Sequence, residues 1–96
     1  MYDLRFSKSA ERYFKKIREN GLKKSYRSTL EKIALDPYAG ELKAGDLADV
    51  YCMDFYYNKT NYEIAYRIYE AKGQIVVVIL AGTRENFYDE LKRYFY

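Results

Sequence analysis

Residues Ile75 to Ala81 read Ile-Val-Val-Val-Ile-Leu-Ala, an unbroken apolar run rich in β-branched side chains. The run is far short of the roughly 18 residues a membrane span needs, and its branching disfavours a helix. It therefore predicts a central strand, Gln74 to Ala81, buried on both faces. Immediately before it, Tyr62 to Glu70 alternates in polarity, and Val50 to Tyr57 does the same. The two read as a hairpin around Asn58-Lys59-Thr60-Asn61. Placing Tyr57 opposite Tyr62 sets Phe55 against Ile64, Met53 against Tyr66 and Tyr51 against Ile68. That pairing gathers one apolar face and leaves Cys52, Asp54, Tyr56, Glu63, Ala65, Arg67 and Tyr69 on the other.

The first third of the chain is helical in pattern. Tyr2 to Phe6 alternates as a short strand, and Ser7 or Ser9 can cap the helix that follows. Ala10, Tyr13, Phe14 and Ile17 form one apolar stripe, which Asn20-Gly21 is expected to end. A second helix carries Leu22, Tyr26, Leu30 and Ile33 on its inner side and stops at Asp36-Pro37. Residues 37 to 49 form a connection anchored by Leu42 and Leu47. The last segment, Glu85 to about Phe95, buries Phe87, Leu91 and Phe95 and leaves Tyr88, Lys92 and Tyr96 on an adjoining face. The expected fold is α+β: a twisted antiparallel sheet, made of a short N-terminal strand and a three-strand meander. An N-terminal helical hairpin and a short C-terminal helix complete it, with the helices expected on one face of the sheet. Residues 1–96 make one domain.

Composition narrows the function classes. With no histidine and one cysteine, the usual zinc ligand sets are excluded and no metal or other cofactor is expected. The lone Cys52 cannot form an internal disulfide and suits a reducing compartment. Met1 leads directly into Tyr-Asp-Leu-Arg-Phe, so no signal peptide is expected, and the predicted location is cytoplasmic, without membrane association. The net charge is +3, too small to indicate nucleic acid by itself. Its clustering at Lys15, Lys16, Arg18, Lys23, Lys24 and Arg27 suits either a phosphate-facing patch or a solvated helix face.

Arg84 and Tyr88 stand four positions apart just past the buried strand, placed to face one surface site. Four short stretches then fall in an informative order. They are Phe6-Ser7-Lys8-Ser9-Ala10 at the strand-to-helix junction, Asp36-Pro37 with Gly40-Glu41-Leu42-Lys43, Tyr62-Glu63-Ile64-Ala65-Tyr66, and Gly82-Thr83-Arg84-Glu85 with Tyr88. In that order and spacing the chain resembles the RelE/ParE superfamily of small toxins from bacterial toxin-antitoxin pairs. The resemblance covers nearly the whole chain. It implies a toxin neutralised by a partner antitoxin, in a hetero-oligomeric complex. In the RelE branch such a toxin cleaves messenger RNA in the ribosomal A site by attack of a ribose 2′-hydroxyl on the adjacent phosphate, without metal. In the ParE branch it poisons DNA gyrase and has no nuclease activity. A toxin fold retained as an inactive antitoxin-binding module is a third reading.

The resemblance also implies roles. Arg84 matches the arginine that stabilises the phosphate in the transition state, and Tyr88 the tyrosine that positions the nucleotide. Lys43 matches a basic loop residue that binds RNA. The structural alternatives are an ion pair from Arg84 to Glu85 or Glu90, packing of Tyr88 on the sheet, and a plain surface role for Lys43. RelE itself carries two lysines and an arginine where this chain has Cys52, Asp54 and Glu63. The YoeB branch uses a glutamate as general base, so Glu63 or Asp54 is a candidate base, with Arg67 and Arg84 supplying positive charge. Alternatively Asp54 and Arg67 pair diagonally across the hairpin, the commoner role for such charges. Cys52 reads as a small packing residue.

Overall fold

The computed structural model describes residues 1–47 and 49–95; the Tyr96 expectation lies outside them. Five strands, β1 (Asp3–Phe6), β2 (Glu41–Leu42), β3 (Tyr51–Tyr57), β4 (Thr60–Tyr69) and β5 (Ile75–Thr83), form one sheet in the order β1-β5-β4-β3-β2. Among the described residues three α-helices accompany the sheet, α1 (Lys8–Lys16), α2 (Asn20–Leu35) and α3 (Phe87–Phe95), with short 3-10 turns at Pro37–Ala39 and Gly45–Leu47. The expected hairpin of helices, the meander β3-β4-β5 and the C-terminal helix are all present. The sheet is antiparallel except at its first strand: β1 runs parallel to β5, with Leu4 beside Val76 and Phe6 beside Val78. A short β2 adds a further strand on the opposite edge, where Glu41 faces Cys52. Among the described residues no helix is long and apolar enough to cross a membrane.

Both faces of the sheet are covered, as the apolar run demands. On one side α1 and α2 supply Ala10, Tyr26 and Ile33, which pack on Ile64, Tyr66, Val76 and Val78. The Tyr26 ring is the hub, edge-on to Tyr13, Phe14, Phe55 and Tyr62. Its hydroxyl meets that of Tyr13 at 2.7 Å, so a polar tip in the core is satisfied. On the other side α3 lays Phe87 and Leu91 over Cys52, Ala65, Ile79 and Leu80. The helices thus lie on two faces rather than one, because α3 follows β5 and turns back over the surface the hairpin leaves bare.

Two local features depart from the sequence pattern. The first helix ends at Lys16, and Ile17 takes an extended conformation as its cap. Asn20-Gly21 opens α2 rather than stopping α1, and Gly21 lies against the Tyr57 hydroxyl with no room for a side chain. The hairpin turn is tighter than expected. Asn58 and Lys59 both adopt positive φ, 48° and 62°, so Tyr57 pairs with Thr60. That is the two-residue type I′ geometry matched to strand twist. It slides the register by two residues, setting Phe55 against Tyr62, Met53 against Ile64 and Asp54 against Glu63. A two-residue slide preserves which side chains share a face, so both faces are as read.

A bulge in β5 positions the site. Ala65 pairs with Leu80 but Tyr66 pairs with Val78, leaving Ile79 as the extra residue. Ile79 and Leu80 consequently both face α3, and the alternation beyond them is inverted. Val76 and Val78 point to the helical hairpin, but further even-numbered positions point to the opposite side. Ser7 secures the bulge: its hydroxyl donates to the Ile79 carbonyl at 2.6 Å and accepts from the Ala10 N–H at 3.0 Å.

Candidate functional site

Inversion at the bulge brings Arg84 onto the face of β3 and β4 that carries Cys52, Asp54 and Glu63. Asp54 lies directly opposite Glu63, and Glu63 opposite Gly82. Arg84, two residues beyond Gly82, is therefore a diagonal neighbour of Glu63. Its Nε stands 3.5 Å from Glu63 Oε1, and its terminal nitrogen 3.9 Å from Asp54 Oδ2. The backbone holds this placement, since the Arg84 N–H donates to the Asn61 carbonyl and the Arg84 carbonyl accepts from Phe87 N–H at the start of α3.

Glu63 is 2% exposed. Burial raises its proton affinity, Asp54 raises it further, and Arg84 and Lys43 only partly offset this. Lys43 arrives from the loop after β2. Its ammonium pairs with Glu41 and sits 4.7 Å from the centre of the Tyr88 ring. Burial opposes that charge, but Glu41 and the Tyr88 phenol outweigh it, so Lys43 holds its proton more firmly than usual. Glu41, Lys43, Cys52, Asp54, Glu63, Arg84 and Tyr88 together line a depression of about 50 Å³, room for water but not for a whole nucleotide.

Arg84, Tyr88, Glu63 and Lys43 are thus brought together. Arg67 is not. With the register two residues from the expected one, Asp54 meets Glu63 and Arg84, and the anticipated Asp54–Arg67 pair does not form. Arg67 instead stacks its guanidinium on Phe95, 4.5 Å from the ring centre. The alternative partners proposed for Arg84, Glu85 and Glu90, are likewise replaced by Asp54 and Glu63. Cys52 is buried, and burial with Glu63 nearby pushes its thiol up to about 12, despite Lys43, so it is an inert packing group. Glu41 was not singled out from sequence; its alternation with Lys43 about Leu42 was the available signal. Among the described residues, no three His, Cys, Asp or Glu side chains form a group that could hold a metal.

Solved structures share this fold. The isolated E. coli RelE toxin superposes with a TM-score of 0.70 at 21% identity, covering 97% of this chain and 98% of that one. The intact E. coli RelBE toxin-antitoxin complex gives 0.67 at 21% identity, over 85% and 95%. The Mycobacterium tuberculosis RelBE2 toxin-antitoxin complex gives 0.66 at 23%, over 86% and 98%. No curated protein matches the chain. The family model for ParE-like toxins of type II bacterial toxin-antitoxin systems matches residues 4–92, and this chain belongs to that family.

Proposed function

We infer that this toxin is a metal-independent endoribonuclease that cleaves messenger RNA on the ribosome. The observation that carries the reading is Glu63: a buried carboxylate with raised proton affinity, 3.5 Å from an arginine and sharing a depression with Lys43 and Tyr88. A carboxylate tuned upward suits general-base work near neutral pH. Glu63 takes the proton from the ribose 2′-hydroxyl as its oxygen bonds to phosphorus. Arg84 and Lys43 hold the phosphoryl oxygens as charge builds, and Tyr88 orients the nucleotide. The bond to the 5′-oxygen then breaks, that oxygen takes a proton from solvent water as Glu63 returns its own to solvent, and a 2′,3′-cyclic phosphate remains.

A second reading has its own observation. Three carboxylates (Glu41, Asp54, Glu63) face two cations in the depression, and Arg84 is engaged by two of them. A phosphate must displace those contacts, which favours a gyrase inhibitor without nuclease chemistry. Induced expression separates the readings. Primer extension on translated messages finds cuts inside codons if the first is right; intact messages with gyrase-linked DNA breaks would replace it with the second. Harmless expression with tight antitoxin binding would replace both with an inactive binding module.

The partner proposed for either toxin is a cognate antitoxin in the cytoplasm, forming a hetero-oligomer. An apolar groove of about 740 Å³ between β1, α1 and α2, lined by Leu4, Phe6, Phe14, Ile17 and Leu30, supports docking of an apolar-faced segment.

A further inference from the structure

The geometry points to a second nucleotide site across the β2 edge from Arg84, taking one nucleotide of single-stranded RNA. This rests on the RNA-directed reading above. The depression there has a volume of about 390 Å³ and is walled by Tyr38, Leu42, Asp49, Tyr51, Arg67 and Tyr69. That is within the range of roughly 300–1,000 Å³ typical of small-ligand pockets, whereas the Arg84 depression is far smaller.

Three features give the pocket its chemistry. Arg67 lacks the restraint that Arg84 has: it makes no ion pair among the described residues, and its buried Nε–H has no acceptor. Among the described residues no carboxylate competes for the Arg67 charge, so an incoming anion meets an uncompensated guanidinium. Stacking on Phe95 holds the guanidinium plane in place, the preorganised fork that suits phosphate. The walls are aromatic. Tyr38 and Tyr69 are about half exposed, and Tyr38 meets Tyr51 edge to face at 5.8 Å, offering ring surface on which a base can stack. Asp49 on the rim can accept from a base amino group or a ribose hydroxyl.

The two depressions are neighbours. Leu42 lines this one and its sequence neighbours Glu41 and Lys43 line the other; Tyr51 and Cys52 divide in the same way. Because neighbours along a strand point to opposite sides, Leu42 and Tyr51 face away from the Arg84 depression, and the edge strand β2 stands between the two. Arg67 pairs with Val77, seven residues before Arg84 on β5, so an RNA strand rounding that edge brings non-adjacent nucleotides to the two arginines.

The test is titration of the purified toxin with an uncleavable 2′-O-methyl trinucleotide, the corresponding mononucleotide and inorganic phosphate, followed by NMR and calorimetry. The trinucleotide should bind at least about fivefold tighter than the mononucleotide, with shifts at Tyr38, Arg67 and Tyr69. Arg67→Ala should abolish that gain and Arg67→Lys restore part of it. Because Arg67 packs on Phe95, the exposed Tyr69→Ala serves as the second variant and should weaken the trinucleotide about threefold. Unchanged trinucleotide binding in Tyr69→Ala and in folded Arg67→Ala overturns the site. Phosphate binding as tightly as the trinucleotide, or shifts at Arg67 with an acidic peptide and not with RNA, overturns its assignment to RNA. Arg67-dependent trinucleotide binding by a toxin that leaves messages uncut upholds this site while removing the cleavage reading.

Discussion

Arg84 serves two neighbours of different character. Its contact with Asp54 is between half-exposed groups and is worth little, under about 1 kcal/mol. Its contact with Glu63 reaches a buried carboxylate and partly offsets the burial and the Asp54 charge that hinder its ionisation. Arg84→Ala should therefore lower toxicity at least about tenfold, the cost of one charged transition-state contact, read as surviving colonies after induction at matched expression. Glu63 makes a separate prediction about pH. Its proton is bound more tightly in the folded chain than in the unfolded one, so its contribution to stability is complete below 4.5 and is lost as pH rises through the folded value. Glu63→Gln imitates the neutral acid. Its melting temperature should match the parent's near about pH 4 and exceed it at neutral pH, while cleavage is lost. A constant offset across that range would contradict the burial argument. At this scale the sequence was legible in part. Arg84 and Tyr88 line one depression just past the buried strand, but a turn with Asn86 at φ 60° and a helix that starts at Phe87, not at Glu85, set their relation rather than a helical repeat of four. The partners of Arg84 were not legible, since they depend on a cross-strand register that no local pattern states.

The register shows how elements limit such reading. Alternation fixes which residues share a face, and it placed Cys52, Asp54 and Glu63 together correctly. It cannot fix sliding by two, because both registers present the same faces. The deciding fact is the two-residue turn, whose second position holds Lys59 at φ 62°, where glycine would have announced it. Lys59→Gly should accordingly stabilise the hairpin by about 0.5 kcal/mol, a rise of a few degrees in thermal melts. The bulge at Ile79 was equally hidden, since an unbroken apolar run carries no alternation to interrupt. Ser7 secures both that bulge and the start of α1, so Ser7→Ala should cost about 1–3 kcal/mol by urea titration. A loss no larger than that of an exposed serine would show that the hydroxyl does not brace the strand.

Across the whole molecule, a sheet of five strands separates two apolar cores that draw on different parts of the chain. The helical hairpin encloses one and α3 the other, so the C-terminal helix is a structural lid as well as the carrier of Tyr88. Leu91→Ala should cost about 2–5 kcal/mol, a large share of a small domain's margin, and should weaken the site with it. A strand apolar on both faces was legible, yet the second core under α3 was not foreseen, since the helices were expected on one face; nor was the parallel docking of β1 on β5, which joins segments some 70 residues apart. The account's centre is that Glu63, Arg84 and Tyr88 act on one phosphate. Its most direct test is single-turnover cleavage of messenger RNA on programmed ribosomes across pH, for the parent, Glu63→Gln and Arg84→Ala. The parent rate should rise with pH as Glu63 ionises, and each variant should lose at least about tenfold with ribosome binding retained. Cleavage at the parental rate in both folded variants, or none by the parent on any message, would contradict it.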